Sequence, residues 1–237
     1  MLTKKYREEM IANVRSATQD MEADWNKRAN ENIMLYTSDV DNDADYYFFG
    51  LQSTYDLLNP VYSRLNTNGS ALEIGCGMGR VLRHTAHIFN SICGVDVSSN
   101  TIQLCNALYS QYPHIAFEKI NGINLEIFGD DTFDFIYSMY VIDHIPKKEW
   151  AVSLIEDIYR VAIPNGIIRL HLAVHDQSTD EGTTWCGAKW TLKEWEGFIK
   201  GFGSKYELTS YDEPFNDDRD LPLNQSICWT TIIKNDT

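Results

Sequence analysis

From residue 70 onward, the sequence alternates short apolar runs with segments of helical periodicity. Alternation of this kind is typical of strand–helix–strand units, in which helices cover both faces of a mainly parallel sheet. Strands are predicted at residues 71–74, 91–95, 115–119, 133–137, 166–172, 206–211 and 227–233. Helices are predicted at 79–88, 99–112, 148–161 and 191–200, the last from the capping-box spacing of Thr191 and Glu194. We therefore expect an α/β fold.

The segment before residue 67 has a different pattern. Its apolar side chains recur every three or four residues, which predicts an amphipathic helix; they are Tyr6, Met10, Val14, Ala17, Met21 and Trp25. An acidic stretch at 38–45 lacks the glycine and the glutamate of a calcium-binding loop and is expected to be a solvated loop. A second helical pattern covers 52–65. We expect residues 1–66 to form a helical arm, or lid, over a core of residues 67–237.

Composition excludes several classes of protein. The chain has 237 residues, 43% of them hydrophobic, which suits one globular domain. Its 20 Lys and Arg against 34 Asp and Glu leave a net charge of -14, which disfavours a nucleic-acid partner. The first ten residues do not read as a secretory signal, and no apolar window is long enough to span a bilayer. We expect a cytoplasmic chain without a membrane segment, and its five scattered cysteines predict no metal site.

A glycine-rich turn follows the first strand of the alternating region. In the segment 72–80, glycines stand at positions 75, 77 and 79. Glycine allows backbone angles closed to other residues and lets a ligand lie against the main chain. The third glycine comes one position earlier than in the turn that seats a dinucleotide pyrophosphate.

Two carboxylates accompany this turn. Glu73 precedes it in the strand, where it would oppose a pyrophosphate but suit an ammonium or sulfonium group. Asp96 ends the next strand, about 20 residues later, where a carboxylate can accept hydrogen bonds from both ribose hydroxyls. The spacing of the glycines and Glu73 favour S-adenosylmethionine over NAD as the ligand.

Five segments, in this order, resemble the motifs of the class I S-adenosylmethionine-dependent methyltransferases: residues 73–79, Asp96, 121–122, 133–145 and 163–167. The likeness extends over residues 70–172. It implies a Rossmann-like three-layer sandwich, with a mainly parallel seven-stranded sheet that has an antiparallel C-terminal strand, plus the N-terminal arm. It also implies S-adenosylhomocysteine as product. The cofactor-binding residues expected from it are Glu73, Gly75, Cys76, Gly77, Gly79, Asp96, Val97, Asn121, Gly122 and Ser138.

Methyl transfer from a sulfonium needs alignment of nucleophile, methyl carbon and sulfur, and an alcohol or phenol acceptor also needs a base. Candidates for the base follow the fourth and fifth strands, where ligands bind in open α/β sheets: Asp143, His144 and His175. The alternatives are that His144 holds loop backbone and that His175 faces solvent. Arg80 is expected to hold the N-terminal segment, to bind a carboxylate, or to lie at the surface.

The acceptor site is expected under two lids, the N-terminal arm and the insertion after the fifth strand. Tyr36, Tyr47 and Trp185 are the aromatic residues predicted to contact the acceptor, with packing of the lids as the alternative. Acidic residues near both lids would attract a cationic amine or guanidine, although solvated loops are the ordinary explanation of such residues.

These observations favour methyl transfer to an oxygen or nitrogen atom of a small molecule by in-line displacement. Two alternatives stay open at this point: methylation of a protein or peptide side chain, and a non-catalytic partner protein that binds S-adenosylmethionine. The spacing of the turn and Glu73 disfavour a nicotinamide dehydrogenase. The chain is expected to be a monomer or a homodimer.

Overall fold

A seven-stranded sheet forms the centre of the molecule. The computed structural model describes residues 15–38, 40–212 and 225–236. The strands are β1 Ser70–Ile74, β2 Ser91–Asp96, β3 Ile115–Lys119, β4 Phe133–Ser138, β5 Ala162–His175, β6 Lys205–Asp212 and β7 Gln225–Ile233. Their order across the sheet is β3-β2-β1-β4-β5-β7-β6.

Six of the strands run in the same direction. Strands β1 to β5 pair in parallel, whereas β7 lies antiparallel between β5 and β6. The predicted fold class, with its antiparallel C-terminal strand, is therefore confirmed. The order of strands reverses between β1 and β4, and a crevice opens at the carboxyl ends of the strands at such a point.

Six helices accompany the sheet in the described part of the chain. They are α1 Arg15–Ser38, α2 Asp43–Leu58, α3 Leu82–Thr85, α4 Ser99–Leu108, α5 Lys148–Val161 and α6 Leu192–Lys200. Helix α1 is broken at Asn32, whose φ of -167° and ψ of 94° are extended. The apolar positions 6–14 of the predicted first helix and the acidic loop 213–220 lie outside the described residues, and the division into arm and core stays a prediction.

Two helix predictions were wrong in extent. The predicted helix 79–88 is a single α-helical turn, α3, because Gly79 has a φ of 78° and so cannot belong to a right-handed helix. The predicted acidic loop ends earlier than expected, since α2 begins within it. The Asn42 side chain caps α2 by accepting a hydrogen bond from the Asp45 backbone N–H at 3.0 Å. Asp43 and Asp45 then lie in the first turn, where negative charge stabilises a helix.

Each face of the sheet has its own hydrophobic core. One face packs against α5 and α6, which contribute Trp150, Leu154 and Trp195. The other packs against α2, α3 and α4, with buried residues such as Leu57 and Leu82. Successive side chains of a strand point to opposite faces, so β1 serves both cores.

No helix in residues 15–38, 40–212 and 225–236 is long and apolar enough to cross a membrane. The same residues contain no group of three or more His, Cys, Asp or Glu side chains arranged to hold a metal ion.

Helix α6 begins with the predicted capping box. The Thr191 hydroxyl accepts from the Glu194 backbone N–H at 3.2 Å, and the Glu194 carboxylate accepts from the Thr191 N–H at 3.1 Å. This start fixes Trp195, which is fully buried and donates through Nε1 to the Thr230 hydroxyl at 2.7 Å.

We expect Thr191→Ala to lower the free energy of unfolding by about 1 kcal/mol, because the Glu194 backbone N–H loses its acceptor. Urea denaturation followed by tryptophan fluorescence measures this change. Thr191→Ser keeps a capping hydroxyl and should stay close to wild type. Equal stability of the alanine and serine variants would contradict the role of the cap.

Candidate active site

A cleft opens at the carboxyl ends of β1, β2 and β4. It encloses about 1050 Å³, including its open mouth. The turn after β1 and the ends of β2 and β4 form its floor, and α1 forms its roof. The α1 side chains that line it are Met21, Trp25, Arg28, Ala29, Ile33 and Tyr36. The predicted crevice and the predicted lid therefore meet at one cavity.

The glycine turn forms part of the floor. Gly75 and Gly77 line the cleft with φ values of 67° and 48°. A Cβ atom on Gly75 would lie 2.3 Å from a methyl group of Val141, so a larger residue cannot occupy this position without movement. The backbone N–H groups of Gly75 and Cys76 both donate to the carbonyl of Val95, at 2.7 and 2.9 Å. These bonds fold the turn onto β2.

Asp96, at the end of β2, lines the cleft beside this turn. Its Oδ2 accepts from the Gly77 N–H at 3.0 Å, and its Oδ1 accepts from the Ser98 N–H at 2.9 Å. Burial raises the pKa of Asp96, and these backbone donors oppose the shift. Each carboxylate oxygen can accept more than one hydrogen bond, so both keep capacity for a ligand.

Glu73 is a buried carboxylate, 4% exposed, in the lining of the cleft. Its Oε2 accepts from the Tyr137 hydroxyl at 3.2 Å, and that hydroxyl lies 2.7 Å from the Thr85 hydroxyl. Burial raises the pKa of Glu73 to about 8, although the positive charge of Arg80 opposes the shift. At neutral pH, Glu73 is therefore mostly protonated in the ligand-free protein. A cationic ligand group bound beside it would favour the ionised carboxylate.

Arg80 connects α2 to the glycine turn. Its Nη1 donates to the Ser53 hydroxyl at 2.6 Å and to the Phe49 carbonyl at 3.4 Å. Its guanidinium lies 4.8 Å from the centre of the Phe49 ring. The side chain is buried, yet it also lines the cleft. Of the alternatives open for Arg80, the structure therefore supports attachment of the N-terminal segment, and its other N–H groups remain for a ligand.

Helix α1 is attached to the floor at the β2 side. The Asn26 amide oxygen accepts from the Ser98 hydroxyl at 2.8 Å and from the Asn100 N–H at 3.1 Å. Met21 lies so close to Gly122 that a Cβ there would be 2.4 Å from its terminal methyl. The glycine predicted at position 122 thus allows the roof to close.

His144 lies on the opposite side of the roof, among aromatic rings. Its ring centre is 5.2 Å from that of Trp25 and 5.3 Å from that of Trp185. Its Nδ1 is 2.7 Å from the Trp185 carbonyl, which can only accept, so Nδ1 carries the proton and Nε2 is free to accept. Burial lowers the pKa of His144 to about 4, so the ring is neutral at pH 7.

The structure brings most, but not all, of the predicted site residues together. The lining contains His144 and Tyr36 as well as Glu73, Gly75, Cys76, Gly77, Asp96, Val97 and Gly122. Trp185 packs against the lining, with its ring 5.9 Å from that of Tyr36. The roles of these residues stay predictions.

Three predicted catalytic or acceptor-binding residues lie outside the lining. Asp143 Oδ1 accepts from the Ala173 N–H at 2.7 Å, and burial raises the pKa of this acid to about 7. His175, at the end of β5, is partly exposed. Tyr47 is 45% exposed and packs its ring against His84, 4.8 Å away. In this arrangement none of the three faces the cavity.

Three predicted cofactor residues also lie outside the lining. A Cβ on Gly79 would lie 2.8 Å from the Tyr109 hydroxyl, so this glycine serves packing. The Asn121 amide oxygen accepts from the backbone N–H groups of the two residues 123 and 124, at 2.8 and 3.0 Å. Ser138 is fully buried, and its hydroxyl has no hydrogen-bond partner in the described part of the chain.

Sequence analysis singled out none of several lining residues, most of them apolar, although Met139, Val141 and Ile145 lie within its motif segment 133–145. They include Ala29, Ile33, Val81, Ile120, Met139, Val141, Ile145 and Leu154. Tyr140 also lines the cleft, with a φ of 56° that is uncommon for a bulky residue. Residues with positive φ concentrate at functional sites, but no local sequence signal marked this one.

Residues 72–170 match a family described as the methyltransferase domain. That segment contains β1 to β4 and most of β5, with the turn, Glu73, Asp96 and His144. The match covers 99 of the 237 residues, so it shows a methyltransferase domain in this part of the chain. The resemblance found in the sequence is thereby confirmed.

Similarity to curated relatives is confined to part of each chain. Sterol 4-C-methyltransferase strm-1 of Caenorhabditis elegans is 29% identical over 43% of this chain and 30% of that protein. Ajmaline N-methyltransferase of Rauvolfia serpentina is 25% identical over 44% of this chain and 36% of that protein. The ubiquinone biosynthesis O-methyltransferase of Pasteurella multocida is 26% identical over 47% of this chain and 52% of that protein. The chain thus spans about a third to a half of the length of these relatives.

Solved structures share the fold at low identity. YcgJ from Bacillus subtilis has a TM-score of 0.64 and 14% identity, over 78% of this chain and all of that chain. Phosphoethanolamine N-methyltransferase 2 from Haemonchus contortus, in complex with phosphomonomethylethanolamine and S-adenosylhomocysteine, has a TM-score of 0.63 and 16% identity, over 78% and 52%. The [4+2]-cyclase SpnF has a TM-score of 0.59 and 16% identity, over 78% of this chain and 82% of that chain. These likenesses concern the fold alone.

Glu73 predicts a pH dependence of stability. Its folded-state pKa of about 8 exceeds its ordinary value of 4.5. Its favourable contribution to the free energy of unfolding is therefore fully present below pH 4.5 and is lost as pH rises toward 8. We expect Glu73→Gln, which cannot ionise, to gain thermal stability relative to wild type between pH 5 and pH 8. Melting temperatures of the ligand-free proteins measure this. The exposed Glu126→Gln should follow wild type, and a parallel pH profile for Glu73→Gln would contradict burial of an ionisable acid.

Proposed function

We propose that the chain transfers the methyl group of S-adenosylmethionine to an oxygen or nitrogen nucleophile of a small molecule by in-line displacement. The observation that carries this proposal is the cleft itself. The glycine turn, Asp96, Glu73 and the neutral His144 all line one cavity between the sheet and α1.

The residues of the floor fit S-adenosylmethionine, which supplies an activated methyl group when bound. Gly75 and Gly77 bring the main chain to the floor of the cleft, where a ligand can lie against it. Asp96 has two oriented carboxylate oxygens for ribose hydroxyls. Glu73 offers a carboxylate to the ammonium group, and Arg80 offers N–H groups to the carboxylate of the amino-acid moiety. The other predicted cofactor contacts stay proposals of lesser weight, because Gly79, Asn121 and Ser138 lie outside the lining.

The chain's own chemical task is alignment and proton removal. The neutral His144 has Nε2 available to accept a proton from an alcohol or phenol, while its Nδ1–H donates to the Trp185 carbonyl. That bond fixes the tautomer and the ring orientation, as a general base requires. A neutral amine acceptor attacks without prior proton removal, so it would depend less on His144.

The roof favours a small acceptor. Helix α1 covers the floor, and Met21, Trp25 and Tyr36 narrow the space above it. A protein or peptide side chain would need an open groove, which makes that alternative less suitable. SpnF, which is named as a [4+2]-cyclase, shares this fold, so a cyclisation is the second candidate reaction. An activity assay therefore has to accompany any binding measurement.

The charge of the acceptor stays an expectation. The expectation of a cationic acceptor rested on two acidic stretches. The stretch 38–45 lies partly in α2, and the stretch 213–220 lies outside the described residues. Within the cleft, Asp96 and the mostly protonated Glu73 are accompanied by two cations, Arg28 and Arg80. The cleft thus gives no preference for a cation. Cytoplasmic location and a monomeric or homodimeric state also stay predictions.

Calorimetric titration tests the cofactor. We expect micromolar binding of S-adenosylmethionine and none of NADH, because the spacing of the glycines does not suit a dinucleotide pyrophosphate. Asp96→Ala should weaken binding by roughly 1.5–3 kcal/mol, or about 10- to 150-fold, through loss of charge-assisted bonds to the ribose. The exposed Asp56→Ala on α2 is the control and should bind as wild type does. Tight NADH binding, or unchanged affinity in Asp96→Ala, would overturn the assignment.

Release of S-adenosylhomocysteine from a panel of phenols and amines tests the reaction. For a phenol acceptor, we expect His144→Gln to lower kcat about 100- to 10,000-fold, because the variant has no group that accepts the proton. For an amine acceptor the loss should be much smaller. Binding of S-adenosylhomocysteine, measured in parallel, checks that the cleft is intact. Equal losses for both acceptor types would contradict the role of His144 as a base.

A further inference from the structure

We propose that Arg28 binds an anionic group of the acceptor and so selects acceptors that carry a carboxylate. The inference rests on the proposed function, since it takes the part of the cleft beside His144 as the acceptor site. It differs from the cationic acceptor expected from net charge.

The Arg28 guanidinium lies beside two indole rings. Its central carbon is 4.7 Å from the centre of the Trp25 ring and 5.1 Å from that of Trp185. The side chain is only 14% exposed and lines the cleft. A planar guanidinium presents its N–H groups along its edge, which is the geometry that binds a carboxylate through two parallel hydrogen bonds.

The hydrogen bonds of Arg28 are incomplete. Its Nη2 pairs with the Asp24 carboxylate at 2.8 Å and donates weakly to the Thr184 hydroxyl at 3.4 Å. Asp24 also accepts a short hydrogen bond from the Thr184 hydroxyl, so it links α1 to the loop after β5. The Nη1 atom of Arg28 is buried and has no acceptor in the described part of the chain. A buried N–H group without an acceptor is unfavourable, so this nitrogen is suited to an oxygen that a ligand brings.

The position of Arg28 assigns that oxygen to the acceptor rather than to the cofactor. The ammonium and carboxylate of the cofactor's amino-acid moiety have partners of opposite charge in Glu73 and Arg80, which lie close enough to shift each other's pKa. Arg28 instead lies near His144, where its charge helps to lower the imidazole pKa. We take the nucleophile of the acceptor to lie at His144 Nε2. An acid group on the same molecule can then reach Arg28.

The walls of this part of the cleft favour a flat acceptor. Trp25 and Tyr36 line it, and Trp185 packs against both, at 6.4 and 5.9 Å between ring centres. Aromatic side chains hold aromatic ligands by stacked or edge contacts. The chemical class we infer is an aromatic acid whose hydroxyl or amino group receives the methyl group.

The test uses matched acids and amides with protein saturated by S-adenosylhomocysteine. The pairs are benzoate and benzamide, 4-hydroxybenzoate and 4-hydroxybenzamide, and indole-3-acetate and indole-3-acetamide. We expect wild type to bind at least one acid tenfold or more tightly than its amide. Arg28→Gln should remove that preference, and Arg28→Lys should retain part of it, because the charge remains while the planar fork is lost. The neighbouring Lys27→Gln makes the same change of charge outside the cleft lining and should bind as wild type does.

Several outcomes overturn the proposal. Wild type that binds no acid, or binds acids and amides equally, excludes an anion site at Arg28. If Arg28→Gln weakens S-adenosylhomocysteine but not 5′-methylthioadenosine, which lacks the amino-acid moiety, Arg28 belongs to the cofactor site instead. Circular dichroism checks folding, and Arg28→Lys carries the test if the glutamine variant does not fold. Failure of wild type to bind S-adenosylhomocysteine would overturn the proposed function and this inference with it, whereas loss of the acid preference alone overturns only the latter.

Discussion

The close contact between the glycine turn and its neighbours determines the geometry of the whole cleft. Gly75 and Cys76 donate to Val95, which joins the turn to β2, and Gly77 donates to the Asp96 carboxylate. On the other side, Val141 fills the space where Gly75 lacks a side chain, which brings the segment after β4 against the turn. Three strand ends thus converge at one point, and both the acid of β2 and the histidine after β4 depend on that convergence.

Burial of charge is the energetic consequence of this convergence. A carboxylate and a guanidinium removed from water are unfavourable unless hydrogen bonds or opposite charges compensate them. Glu73 is compensated by the Tyr137 hydroxyl and by its raised pKa, and Arg80 by Ser53 and the Phe49 carbonyl. The compensation is partial because the same groups line a cavity. Residues suited to a charged ligand are therefore also the ones that reduce the stability of the ligand-free protein.

The sheet and the floor of the cleft were predictable because their signals are local. Runs of apolar residues predicted every strand within a few positions, and the turn with Glu73 and Asp96 indicated the ligand. The misplaced predictions involve contacts that no local pattern encodes. Asn121 has an amide oxygen that can accept a hydrogen bond, but this oxygen already accepts from the backbone N–H groups two and three residues later. The sequence analysis assigned no role to Arg28, because its contact with Trp185 joins residues far apart in sequence.

The contacts that attach α1 to the floor are mostly polar, and this suits a roof over the cleft. At the β2 side, Asn26 bonds to Ser98 and Asn100, and Glu22 pairs with Lys119 at 2.9 Å. Such polar contacts near solvent contribute little to stability. Only Met21 among the lining residues of α1 is deeply buried. Lifting this roof should therefore cost less than disturbing the sheet. The floor lies beneath the aromatic residues around His144, so the proposed function places the cofactor below the acceptor in the same cleft.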